Sequence, residues 1–145
     1  MERVTKTQGW EKRLADYFYD TRADAFVWGE RDCCTTTLES IEVMHGEILP
    51  DVAHEFFDYT DKKTAIVWMR DNGGLEDIVS RAMLYMGLDE HTNALCTKRG
   101  DVCLVKNGRK KLLGIMGLNG RVMCATKKGW LMTDIYTIQR SWGLA

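Results

Sequence analysis

The spacing of apolar residues changes once along this chain, at Arg99-Gly100, and that change constrains the fold more than any other feature. Before it, apolar side chains recur three or four residues apart. After it, short apolar runs alternate with turn dipeptides. Helices that come first and hairpins that come second predict an α+β domain, with N-terminal helices packed on a C-terminal antiparallel sheet. The whole chain, 1–145, reads as one domain with a core of about 9–142, and no internal repeat or low-complexity segment interrupts it.

In the first half, Trp10, Leu14, Tyr17 and Phe18 form one apolar stripe of a helix over 9–23, and Glu11, Lys12, Arg13 and Asp16 cover its other face. The stripe reads as core. A central helix over 33–45 carries Leu38, Ile41 and Met44, with Gly46 placed as the residue just past its end. Residues 47–59 read as irregular, because Pro50 interrupts any continuous helix, and Phe56, Phe57 and Tyr59 anchor that stretch. Thr60 is the expected N-cap of a helix over 61–71, stopped by Asn72-Gly73-Gly74. A fourth helix is expected over 75–86, followed by a polar connection over 88–98. In the second half, Val102–Val105, Leu112–Met116, Val122–Ala125, Trp130–Met132 and Ile135–Ile138 read as strands. Asn107-Gly108, Asn119-Gly120 and Lys127-Lys128-Gly129 supply the turns.

One stretch, Phe26–Cys34, carries chemistry. Phe26-Val27-Trp28 is extended, Gly29 permits a sharp turn, and Asp32 is a good N-cap for the central helix. Cys33 and Cys34 fall in the first helical turn, where free N–H groups and the helix dipole favour a thiolate. A thiol so placed is a nucleophile that needs a base. The plainer reading makes both cysteines small buried hydrophobes at a helix start.

Charge and composition exclude several classes. The net charge of −1 supplies no bulk attraction to nucleic acid or anionic membranes. No apolar run approaches the length of a membrane span, and Met1–Lys6 lacks the apolar segment of a secretory signal, so assembly in the cytoplasm is expected. Five cysteines at 33, 34, 96, 103 and 124 contain no CxxC, which disfavours a disulfide framework and a zinc ribbon. A metal or iron–sulfur site drawn from them is disfavoured because adjacent cysteines rarely chelate one ion and Cys103 and Cys124 fall in strands. No cofactor is expected. Arg109-Lys110-Lys111 and Lys127-Lys128 lie at hairpin turns without stacking aromatics, so they read as solvated tips rather than a nucleic-acid surface.

The order of these pieces resembles the NlpC-type papain-like cysteine peptidases, and more closely a family of small tailed-phage and prophage proteins grouped with them. The matching pieces are Trp10-Glu11 with Leu14, Phe26-Val27-Trp28-Gly29, Asp32-Cys33, Tyr59-Thr60, Arg99-Gly100-Asp101-Val102, Leu113-Gly114-Ile115, Gly129-Trp130-Leu131 and Trp142. The resemblance implies a papain-like fold with Cys33 as the nucleophile, a His on a neighbouring strand as its base, and backbone N–H groups beside the Cys holding the oxyanion. Asp32, Arg31, Trp28 and Gly29 would line the site. The position implied for the base is Leu112, so the strand base is missing. In the phage relatives a His often precedes the Asp-Cys pair. Here Arg31 stands there and cannot act as a base. A surface ion pair with Glu30 or Asp32 is its expected role.

Three histidines remain. His45 lies on the same helix as Cys33, twelve residues on and roughly 18 Å away by helical rise, too far to serve. His54 and His91 lie in segments read as irregular and are expected at the surface. No His follows His91, so any His base must come from outside the sheet.

Two functions follow. The first is a structural or assembly protein of a phage tail tip, in contact with hub and distal-tail proteins and located in the virion, with a peptidase-like fold and no catalysis. The alternative is an active cysteine peptidase or amidase that cleaves peptidoglycan during infection, with Cys33 as nucleophile and His54 as an unconventional base. Loss of one member of a nucleophile–base unit removes nearly all of its rate, which weighs towards the first.

Overall fold

A helix forms where its end groups find partners, and the central helix finds them within its own sequence. In the computed structural model, which describes residues 1–145, α1 spans Trp10–Asp20 and α2 spans Cys33–His45. The Asp32 carboxylate accepts the N–H groups of Cys34 and Thr35, each at 2.9 Å, and the Thr35 hydroxyl accepts the Asp32 N–H at 2.9 Å. This capping box starts α2 at the expected residue. Gly46, at φ +93°, closes it in the left-handed conformation. Seven of its thirteen residues are buried. Three of those are small and polar, and they return their hydroxyls to the helix: Thr36 to the Asp32 carbonyl, Thr37 to Cys33 and Ser40 to Thr36, at 2.7–2.8 Å. A polar sequence can therefore sit in the middle of the domain without unpaired groups.

Three further helices follow: α3 at Pro50–Phe56, α4 at Lys62–Asp71 and α5 at Leu75–Tyr85. The α3 helix corrects the expectation that 47–59 is irregular. Pro50 starts this helix rather than breaking one, since its missing N–H falls where the first turn has no acceptor to offer. Val52 and Phe56 then face the core. The N-cap of α4 is Asp61, not Thr60, and a reciprocal bond with Thr64 completes a second capping box. The first helix is shorter at both ends than its apolar stripe suggested.

The sheet contains β1 (Asp89–Glu90), β2 (Val102–Asn107), β3 (Lys110–Met116), β4 (Val122–Thr126), β5 (Gly129–Thr133) and β6 (Ile138–Gly143). Its order is β1-β6-β2-β3-β4-β5, with every pair antiparallel. The fold class is thus α+β, five helices and a six-stranded antiparallel sheet. The order also corrects a simple meander. After β5 the chain does not turn back beside it. Residues Ile135–Thr137, expected as strand, form a 3₁₀ turn capped by Asp134, and the chain crosses the sheet to pair β6 with β2. The crossing follows from burial. Val102, Cys103, Leu104 and Val105 are all fully buried, so β2 needs a strand on each side and cover on each face.

One face of the sheet packs on the helices: Val102, Leu104, Leu113, Ile115 and Trp142 join Leu14, Ile41, Met44, Val79 and Met83 in the main core. The other face holds a smaller core of Cys103, Val105, Met116, Val122, Cys124 and Ile138. Ala94 and Ile135, from two 3₁₀ turns, cover it. The ends of the chain join the main core as well. Val4 is buried and its N–H bonds the Met86 carbonyl at 2.8 Å; Leu144 is buried beside it. No helix is long and apolar enough to cross a membrane.

Candidate functional site

The turn before α2 is held from three directions. Gly29 takes φ +84°, and a Cβ there would lie 2.8 Å from the Tyr59 carbonyl oxygen. Only glycine allows the 57–60 segment to press so closely on this turn. The Gly29 N–H is donated to Asp32 Oδ2 at 2.9 Å. With the Cys34 and Thr35 amides on Oδ1, the buried Asp32 carboxylate holds three backbone donors at once. Asp32 is a structural knot, and it also occupies the Cys34 N–H beside Cys33.

Cys33 is partly buried and Cys34 is buried. The Cys33 thiol is drawn below the ordinary thiol range, chiefly by a hydrogen bond with the Cys34 thiol and further by the Leu113 amide, against the opposing effect of burial. Cys34 is pushed well above it by the same bond and by desolvation. The dominant groups acting on Cys33 are therefore a second thiol, a strand amide and the Asp32 carboxylate. Leu113, rather than Leu112, is the β3 residue that adjoins Cys33. Leu113 belongs to the helix-side core, whereas Leu112 packs with the core on the opposite face. The position assigned to the missing base thus points away from the thiol, a one-residue difference that inverts the side chain in a strand.

The histidines stand elsewhere. His54 is exposed on α3. His45 is at the far end of α2, its Nδ1 beside the Thr5 carbonyl at 2.9 Å. His91 corrects the expectation of a surface residue: it is partly buried, and Nε2 lies 2.6 Å from Asp101 Oδ2. Asp101 is itself only 3% exposed and also accepts the Lys98 N–H at 2.7 Å. The His91 N–H bonds the Ser141 carbonyl, and the Ser141 hydroxyl accepts from Thr97 at 2.8 Å. The Gly100-Asp101 motif therefore builds an imidazole–carboxylate pair that the sequence had not joined. Residues 91 and 101 flank a polar loop, and no periodicity links them.

Arg31 does not pair with Glu30 or Asp32. Its Nη1 donates to the Tyr17 hydroxyl at 3.1 Å, Nε lies 3.8 Å from Asp24, and the guanidinium sits over the Trp130 ring. Phe18 packs edge-on against that same indole at 5.0 Å. Trp28 packs edge-on against Phe26 at 5.2 Å. Four buried polar groups lack a hydrogen-bond partner: Trp28 Nε1, Arg31 Nε, Tyr59 Oη and Trp130 Nε1. All four can donate, and all four belong to the turn or to residues packed on it. No group of three or more His, Cys, Asp or Glu side chains converges as metal ligands would.

The chain belongs to the family of a domain of unknown function, DUF6950. Its family model matches residues 5–144, so the Asp32-Cys33 turn and the His91–Asp101 pair both lie within the family's domain. No curated protein matches the sequence. Within this DUF6950 domain the arrangement offers a thiol favoured toward its ionised form, without an imidazole among the dominant groups acting on it. It offers an oriented imidazole in a separate cluster. Chemistry that requires a thiol and a base in one unit has only half of it in each place.

Proposed function

We propose that this DUF6950 chain is a structural or assembly protein of a phage tail tip, built on an NlpC-type papain-like fold without peptidase catalysis. The observation that carries this reading is the company of Cys33. Its thiol is partly buried against the core that holds Cys34 and Leu113, while His54 is exposed on α3 and His91 is committed to Asp101. The resembling motifs, Phe26–Gly29, Asp32-Cys33 and Gly100-Asp101, are all used here to fasten the turn, the helix and the sheet. Such a domain keeps the scaffold of the peptidase and uses it for contact with hub and distal-tail proteins in the virion. The test is mass spectrometry of purified tailed particles from the genome that encodes the chain, paired with a deletion of its gene. Presence of the chain in the particles and loss of complete tails on deletion are expected. Infectious particles that lack it would overturn the reading.

A second reading is favoured by the place of Cys33, a partly buried thiol in the first turn of α2 whose pKa is drawn below the ordinary range. It makes the chain a cysteine peptidase or amidase that acts on peptidoglycan. Release of soluble muropeptides by the wild type, abolished in Cys33→Ala, would establish it. Equal and negligible release by both is the expected result.

A further inference from the structure

The two edges of the sheet are built differently. On one side β1 has two residues, and their carboxylates are held by ion pairs: Asp89 with Arg3, and Glu90 with Arg140. A short, charged edge of this kind resists pairing with another chain. On the other side β5 has five residues, Gly-Trp-Leu-Met-Thr, and pairs only with β4. Outside that pairing no backbone hydrogen bond reaches residues 129–133. Every second amide and carbonyl of β5 therefore faces outward without a partner. Met132 is 52% exposed, and Tyr136, just beyond the strand, is 83% exposed.

The charges that flank this edge are complementary under a two-fold rotation. Lys127 and Lys128 are exposed before β5, and Asp134 is exposed after it. Asp134 uses Oδ1 to accept the Tyr136 N–H at 3.0 Å, and no bond engages Oδ2. We infer that β5 is a self-pairing edge. Two copies join antiparallel through Gly129–Thr133 about an axis at Leu131, so that their sheets continue into one. In that register residue 131 faces its own copy, Trp130 faces Met132 of the second copy, and Lys128 faces Asp134 of the second copy. The symmetry forms each contact twice. Moving the register by two residues sets Lys128 against Met132 or Tyr136 instead and loses both ion pairs. Opposite charges directly across two strands stabilise the pairing, and a thioether beside an indole adds to it. A closed two-fold pair also removes the exposed edge from both copies, so the association stops at two. The inference holds whichever function the Cys33 turn serves.

The experiment is sedimentation equilibrium of the full-length chain over a range of concentrations, with Lys128→Glu and the swap Lys128→Glu/Asp134→Lys. Both positions are exposed, and circular dichroism checks that each variant is folded. A monomer–dimer equilibrium is expected for the wild type. The dimer should weaken in high salt, as surface ion pairs do. Lys128→Glu turns two attractions into two repulsions and should raise the dissociation constant by about tenfold or more. The swap should restore most of the loss. Hydrogen exchange supplies the second readout: the Trp130 and Met132 amides should slow as concentration rises. A chain that stays monomeric throughout overturns the proposal. So does a dimer that ignores Lys128→Glu, or one that leaves β5 exchange unchanged, because its interface then lies elsewhere.

Discussion

The Asp32-Cys33 turn and the His91–Asp101 pair each contain part of what a thiol hydrolase needs. The turn has a thiol at a helix N-terminus and a carboxylate that accepts three backbone amides and the Thr35 hydroxyl. The pair has an imidazole oriented by a buried carboxylate, and its neighbours are hydroxyls and backbone groups. A carboxylate's partners decide its work. Asp32 closes a helix and a turn. Asp101 fixes a ring and a loop. The two carboxylates share no hydrogen-bond partner.

Removal of each carboxylate should have the largest effect. Asp32→Ala leaves three backbone donors unpaired and removes the cap of α2. A loss of about 3 kcal/mol is expected from an N-cap and stranded buried donors together. Asp101→Ala releases one amide and the imidazole, so about 2 kcal/mol is expected. Denaturant melts of the two variants should rank in that order, and the reverse ranking would make the His91 cluster the firmer of the two.

Cys33→Ala should change stability by roughly 1 kcal/mol, because a small partly buried side chain is shortened by one atom. Its chemical readout is sharper. Alkylation by iodoacetamide, followed by peptide mass spectrometry, should label Cys33 below the pH at which an ordinary thiol reacts. The sign follows from its lowered pKa, which leaves the thiolate populated at lower pH. Cys34 is shifted upward first by the neighbouring Cys33 thiol and then by burial, and Cys103 and Cys124 by burial. These three should stay unlabelled until the chain unfolds. If Cys34 reacts before Cys33, the assignment of the thiolate within the pair is reversed.

The smallest effect is expected at Tyr59. Its hydroxyl is buried against the turn without a hydrogen-bond partner, and burial with the nearby thiols and Asp32 raises its pKa far above the usual phenol range. Tyr59→Phe removes an unsatisfied group and keeps the ring. Stability should stay level or rise by up to about 1 kcal/mol. A clear loss would mean that the hydroxyl has a partner in solution, a water or a ligand, beside Cys33.

The parts of this molecule that could be read from the sequence are those whose cause is local. Asp32, Thr35 and Gly46 mark both ends of α2 because capping acts within four residues. The two-residue tips at Gly108-Arg109 and Lys127-Lys128 lie within one residue of the turn signals. Pro50 reads as a breaker from sequence alone because its effect depends on which helical position it occupies, and that position is set by Val52 and Phe56 finding the core.

The remaining features were decided by contacts between distant residues. That β6 lies beside β2 follows from a strand buried on both faces, which no turn residue announces. That Arg31 finds Tyr17, Asp24 and Trp130 depends on α1 and β5 meeting over it. That Leu113 rather than Leu112 adjoins Cys33 depends on sheet register, where one residue reverses every side chain. Local sequence signals suffice for an α+β chain with a thiol at the start of its central helix. Which groups surround that thiol, and that the His91 imidazole meets Asp101, follow from the packing of the helices on the sheet, because proximity between residues far apart in sequence is created there.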